Sequence, residues 1–343
     1  VGLIGCGNFA YTTIAYYLEK NYRGAMRAAM DTDINKAVSL YSRYNLAYYT
    51  SDASQILKDP QIDLVFIASD HASHADYAVQ ALEQGKSVHI EKPHAVTMEQ
   101  LERLCSAMHE YGGSVALGFN RPVSPIGKKI KECLSSQAGA AFYNWFVAGH
   151  DLPPDHWYFA ENEGGRVIGN LCHWTDFTYQ LIPETGRYPI TIVPAGGAKP
   201  HSDMVVTYLF GDGSISVISF SVKSDPFEGI RERFTGHRGR ALICMDDFKN
   251  LTIDVGHKKH KIRRLFRDQG HEANIKRSYE MVSPQRGGSS AGSSIEYVWE
   301  TGELFLKTRE ALKLNKTITL EPYRASLSGN RKDDNKRDDL INK

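Results

Sequence analysis

Through the first 121 residues, short apolar runs alternate with stretches whose apolar residues recur at helical spacing. Runs near 1–4, 27–31, 47–50, 63–68, 87–90 and 114–118 have the character of strands buried on both faces. Between them, 9–20, 34–44, 53–58, 74–84 and 98–111 carry the helical pattern. Such alternation predicts an α/β unit built on a doubly wound parallel sheet. Beyond Arg121-Pro122-Val123 the period shortens to two, at 140–148, 190–195, 204–210, 214–222, 231–235, 241–245 and 251–255, and predicts a mostly antiparallel sheet. Helical patterns at 164–182, 271–282 and 294–312 are read as the layer covering that sheet. The second half is then α+β, with one sheet face left open for an oligomer contact.

Composition narrows the class. The 343 residues are 41% hydrophobic and 24% charged, with a formal net charge of +1, which suits a globular protein of about two domains. Lys and Arg are scattered rather than gathered with aromatics, so no nucleic-acid partner is expected. Cys6, Cys105, Cys133, Cys172 and Cys244 form no C-x-x-C pair and are odd in number, which argues for free thiols and against a zinc site or disulfide framework. No apolar run approaches a membrane span and no signal-peptide pattern is seen, so a cytoplasmic protein without a membrane partner is expected. The stretch 326–343 mixes Lys, Arg, Asp and Asn with almost no apolar residue and is expected to be disordered.

The first chemistry lies in Gly5-Cys6-Gly7-Asn8-Phe9-Ala10, a glycine-rich turn between an apolar strand and a helix start. Gly5 would make the tight turn, Gly7 would let backbone approach a pyrophosphate, and Ala10 would let the helix pack closely on the sheet. The free N–H groups of that helix start favour negative charge. About 20 residues on, Asp31 ends the second strand, where an acid accepts hydrogen bonds from the adenosine ribose of NAD and repels the 2′-phosphate of NADP. Asp33 is the second choice there, and is also read as the cap of the following helix.

Glu91-Lys92-Pro93 closes the strand at 87–90, at the carboxyl end where open α/β sheets bind ligands. Together with the glycine turn, with 67–74, 85–93 and 117–121, and with Gly164-Gly-Arg-Val-Ile-Gly-Asn-Leu-Cys-His-Trp-Thr-Asp176, it makes the chain resemble the Gfo/Idh/MocA oxidoreductases, the glucose–fructose oxidoreductase and inositol dehydrogenase group. The resemblance runs from residue 1 to about 322. It implies a Rossmann domain at 1–121, an α+β substrate-binding and oligomerisation domain at 122–325, and the charged tail at 326–343.

It also implies roles. Lys92 would reach the nicotinamide and the substrate hydroxyl, where an ammonium stabilises developing alkoxide charge; a lysine depressed by burial could even take the proton. Glu91 and Pro93 would shape the cofactor side. His173 would face the cleft as a second catalytic group, with Asp176 one turn on to orient it and Asn170 beside it at the substrate. The family commonly has an aspartate four residues before the histidine, and Gly169 stands there. Ser69 and His74 would flank the nicotinamide half, Asn120 the cofactor, and Arg121 the substrate oxygens. The loop 149–158, Gly-His-Asp-Leu-Pro-Pro-Asp-His-Trp-Tyr, offers His156 and Trp157 to a sugar ring. His150, Asp155 and His156 lack the spacing of a metal set, and no metal is expected.

The expected activity is hydride transfer between a hydroxyl of a sugar, cyclitol or nucleotide-linked sugar and NAD, with NADP less favoured, in a homodimer or homotetramer. The alternatives are a redox-neutral NAD enzyme of epimerase or glycosidase type, and a non-catalytic NAD-bound sensor suggested by Gly169.

Overall fold

The computed structural model describes residues 1–153, 155–195, 203–225, 227, 229–282 and 292–323. The expected tail at 326–343 lies outside the described residues. Six strands, β1 (Gly2–Ile4), β2 (Ala28–Met30), β3 (Tyr48–Thr50), β4 (Leu64–Ile67), β5 (Ser87–Ile90) and β6 (Val115–Leu117), form a parallel sheet in the order β3-β2-β1-β4-β5-β6. The order reverses between β1 and β4, which opens the ligand-binding crevice of a Rossmann sheet at their carboxyl ends.

The crossovers are α1 (Ala15–Asn21), α2 (Ile34–Tyr44), α3 (Ala53–Leu57), α4 (His74–Glu83) and α5 (Met98–Tyr111). Local chemistry sets their starts: Asp33, Asp52 and Thr97 each accept a backbone N–H at the first turn of α2, α3 and α5. Helix α1 departs from expectation, since its first turn, Ala10–Ile14, is a π-helical turn. Such turns recur at functional sites.

Ser124 and Pro125 start α6 (Pro125–Ser135), a helix missed in the sequence. The second sheet follows, with β7 (Ala141–His150), β8 (Ile190–Ala195), β9 (Met204–Leu209), β10 (Ile215–Ser224), β11 (Arg231–Arg238), β12 (Ala241–Asp246), β13 (Asn250–Val255), β14 (Lys258–Arg263) and β15 (Ile318–Leu320). Their order is β14-β13-β12-β11-β7-β10-β9-β8-β15; β7 and β10 pair in parallel and the other pairs are antiparallel. In β7, Ala141, Tyr143, Trp145 and Val147 alternate inward, while Phe142 and Phe146 stand exposed on the outer face, as does Leu242 of β12 on the other side of β11.

Helices α7 (Cys172–Leu181) and α9 (Ile295–Leu314) cover the inner face and also pack, through Cys172, Val298 and Phe305 together with Ile168 just before α7, into the core of the first domain. Helix α8 (His271–Glu280) corrects the expected layering. It packs on α1, with Ile275 in the cluster of Leu3, Ile14 and Phe66, and so covers the parallel sheet. Its one apolar stripe fits that surface, and a sequence period does not say which of two sheets a helix will cover.

Candidate active site

A cleft of about 1070 Å³ runs from the turn after β1, across the carboxyl ends of the parallel strands, to the first turns of the segment leading into α7. At one end the backbone makes the surface. Gly5 has φ +88°, and a Cβ there would lie 2.4 Å from the Ser69 amide nitrogen after β4, so the closest approach of the two strand ends requires glycine. Gly7 has open space where its Cβ would be, and Ala10 is buried under the helix. Asn8 and Phe9 line the same end.

Asp31 also lines the cleft; one carboxylate oxygen accepts from the Cys6 amide at 2.7 Å and the other from the Asp33 amide at 2.9 Å. These bonds aim the carboxylate and still leave acceptor capacity on both oxygens. Asp33 caps α2 through the Asn35 amide and faces away from this role. Ser69 lines the cleft with its hydroxyl 2.7 Å from that of Ser73.

At the other end the surface is made of side chains drawn from distant segments. Lys92 donates from Nζ to the Gly169 carbonyl at 2.7 Å. Burial pushes its pKa down, but Tyr158, Cys172 and Glu91 outweigh burial and hold it above the ordinary lysine value. The amine is therefore an ammonium, and the expectation of a lysine depressed into a base is corrected. A Cβ on Gly169 would lie 2.8 Å from both His71 Cε1 and Tyr158 Cε2, so the space where an acid would project is filled by those two rings. The carbonyl of Gly169 meets the ammonium in place of a carboxylate.

His173 lines the cleft, and burial followed by Arg121 and Lys92 holds its pKa well below 6.5, so its ring is neutral. Its Nδ1 and the Oδ1 of neighbouring Asn170 are buried with no hydrogen-bond partner among the described residues. Both residues sit on or beside the second π-helical turn, Val167–Leu171. Unpaired buried polar atoms are costly, and here they border a cleft wide enough for a polar ligand.

The supports are buried too. Glu91 accepts from His89, whose other ring nitrogen meets the Ser278 hydroxyl, and this bond with the nearby positive charges lowers the Glu91 pKa although burial opposes it. Arg121 forms a 2.7 Å ion pair with Glu232, which also accepts from Trp174 and Gln269. Asn120 donates to the Gln269 carbonyl. Arg121 and Asn120 thus line the cleft with their polar groups already engaged.

Three expected residues are placed differently. Asp176 turns away from His173 and accepts from Tyr297 and Gln180, because a residue three positions on is rotated by about 60° round a helix and here faces α9. His156 caps the short turn Trp157–Phe159 through the Tyr158 amide and lies outside the cleft, whereas Trp157 lines it. His74 is buried with both ring nitrogens on backbone carbonyls, those of Pro93 and Ser69, so it ties the Glu-Lys-Pro segment to the loop after β4. Pro93 contributes that carbonyl.

Sequence reasoning missed His71, Arg267 and His271, which line the cleft together with Tyr158, the last residue of the loop 149–158. His71 is buried, donates from Nδ1 to the Glu163 carbonyl, and has its pKa lowered to about 2 by burial and then by Lys92. His71 lay inside the quoted motif 67–74, which was the available signal; Arg267 and His271 lie in stretches with no spacing rule.

The residues fit a dinucleotide: the bare Gly7 backbone, the aimed Asp31 carboxylate and the orphaned atoms of Asn170 and His173 lie along one cleft. Residues 1–119 match the Gfo/Idh/MocA oxidoreductase family, NAD-binding Rossmann fold. Over 263 residues the chain is 25% identical to the uncharacterized oxidoreductase YrbE of Bacillus subtilis, covering 74% of this chain and 75% of that one. It is 24% identical to scyllo-inositol 2-dehydrogenase (NAD(+)) of the same organism, covering 73% and 76%. A levoglucosan dehydrogenase solved with NADH and levoglucosan superposes with a TM-score of 0.79 at 16% identity, over 93% of this chain and 98% of that one. The amino-terminal 119 residues are thus similar to the NAD-binding Rossmann fold of the Gfo/Idh/MocA oxidoreductase family, and the chain as a whole shares its fold with the levoglucosan dehydrogenase.

Proposed function

We propose that the protein is an NAD-dependent dehydrogenase that oxidises a secondary hydroxyl of a sugar, cyclitol or nucleotide-linked sugar. The observation that carries this reading is the Lys92 ammonium, held charged on the Gly169 carbonyl beside the unpaired Asn170 and neutral His173. Bound NAD would supply the hydride acceptor, and Asp31 would hold its ribose hydroxyls and repel the 2′-phosphate of NADP.

In the oxidation, the carbon loses a hydride and the oxygen loses a proton. Lys92 stabilises the negative charge that grows on that oxygen, since a preoriented ammonium in a buried site is worth more than in water. Because Lys92 already carries its proton, His173 takes the substrate proton at a ring nitrogen. Asn170 hydrogen-bonds a neighbouring hydroxyl, and Trp157 and Tyr158 offer aromatic faces to the ring. The exposed Phe142, Phe146 and Leu242 face is assigned to self-association as a homodimer or homotetramer.

The test is NADH formation from a panel of polyols, inositols and aldoses. Turnover of at least one of them, abolished in Lys92→Ala, supports the reading. Tightly retained NAD with substrate conversion but no net NADH moves the assignment to redox-neutral chemistry, and NAD binding with no conversion at all moves it to a sensor.

A further inference from the structure

On the far side of α7 from the cleft lies a second, smaller cavity of about 340 Å³, lined chiefly by polar groups. Three cations face it from three elements: Lys131 on α6, Arg187 after α7, and Arg277 on α8. Ser293 and Ser294 close it at the start of α9.

Among the described residues no carboxylate forms an ion pair with these three cations. Arg277 makes no ion pair or hydrogen bond among the described residues. Lys131 donates to the neutral amide oxygen of Gln180 at 2.7 Å, and Arg187 to the Tyr179 hydroxyl and the Ile182 carbonyl. The nearest carboxylates are already committed, Asp176 to Tyr297 and Gln180, and Glu300 to the Tyr179 hydroxyl. Asp176 is in addition pushed up to about 7 by burial, which weakens it as a counter-charge at neutral pH. Lys131 itself has a lowered pKa, through burial, with Arg277 and Arg187 opposing its charge and Asp176 supporting it.

Like charges gathered round a polar cavity destabilise the fold unless an anion joins them. A carboxylate would meet one guanidinium; a phosphate group offers oxygens in several directions, to a lysine, two arginines and serine hydroxyls together. We propose that this cavity is a binding site for a phosphate group, free or carried on a small metabolite, separate from the catalytic cleft. The bound anion would bridge α8, which packs on the first domain, to α6 and α7 of the second.

Inorganic phosphate is the probe, titrated by calorimetry into the wild-type protein and into Arg277→Ala and Lys131→Gln/Arg277→Ala variants, with sodium chloride at matched ionic strength as the control. The expected result is saturable phosphate binding to the wild type that weakens at least about tenfold in the double variant and recovers in Arg277→Lys. The same titration in phosphate-free protein should raise the melting temperature of the wild type more than that of Arg277→Ala, a variant at an exposed position. Equal phosphate affinity in wild type and double variant would place any bound phosphate elsewhere, at the glycine turn for instance, and overturn the proposal. So would a response to sodium chloride equal to that to phosphate.

Discussion

The two ends of the cleft are built from different materials. The nucleotide end is mostly main chain: a glycine at positive φ, a bare Gly7, and one carboxylate aimed by two amides only a few residues from the strands that carry them. The reactive end is mostly side chain: Lys92, Tyr158, Asn170, His173 and His271 come from segments far apart and meet only in the folded protein. Binding a pyrophosphate needs backbone N–H groups in one local turn, which a short motif can specify. Moving a proton and a hydride needs charged and neutral groups with tuned pKa values, which only a desolvated tertiary site supplies. Damage at one end should therefore leave the other largely intact.

The sharpest way to break that separation is Lys92→Ala. Turnover is expected to fall at least about a hundredfold, the size of a lost electrostatic or acid–base contribution, while NAD affinity by calorimetry stays within about twofold. Comparable loss in both measurements would show that the two ends do not act separately.

The converse change is Gly5→Ala. Positive φ in a residue with a Cβ costs about 1–3 kcal/mol, and here the added carbon also meets the Ser69 backbone at 2.4 Å. NAD binding should weaken about tenfold or more, and the melting temperature should fall. A variant with wild-type NAD affinity would remove the strand-to-strand approach from the argument.

Asp31→Ala is milder, because it removes one hydrogen-bond partner each from the Cys6 and Asp33 amides and adds no carbon to the turn. About tenfold weaker NAD binding is expected, with NADP affinity raised or unchanged, so that the preference for NAD narrows. Lys36 also borders this end and would meet a 2′-phosphate favourably. Unchanged affinity for both cofactors would take Asp31 out of the site.

Legibility follows the same division. The α/β alternation, the glycine turn, Asp31 and Glu91-Lys92-Pro93 were readable because each depends on a local period or motif. Strand β14, Lys-Lys-His-Lys-Ile-Arg, was not, since an edge strand exposed along most of its length has no apolar alternation to reveal it. Helix α6 carried a readable signal, Ser124-Pro125 followed by Ile126, Ile130 and Leu134 at four-residue steps, and was overlooked. The pairing of Asp176 with His173 failed because helical spacing gives neighbours on a surface, whereas Tyr297 from another helix offered a buried hydroxyl. Tyr158 and His71 owe their roles to the missing Cβ of Gly169, a fact about space that no one-dimensional pattern contains.

The finest comparison of the two ends is a pH profile. A solvent-exposed histidine titrates near 6.5, and a base of that kind would give kcat/KM an acid limb as pH falls through that value. His173 is held well below it, first by burial and then by the positive charges of Arg121 and Lys92, so its neutral, proton-accepting form persists as pH falls through the ordinary range. Lys92 shifts the opposite way, upward, and keeps its ammonium as pH rises through neutrality. Between about pH 6 and 8 both groups are therefore in their working forms, and kcat/KM should change less than about threefold. Replacing Arg121 by Gln removes one of the charges that depress His173; it should move an acid limb up toward 6.5 while NAD affinity, read at the other end, hardly changes. A wild-type limb centred near 6.5 would instead mean that His173 is solvated like a surface histidine, and that the reactive end is not the desolvated site its geometry describes.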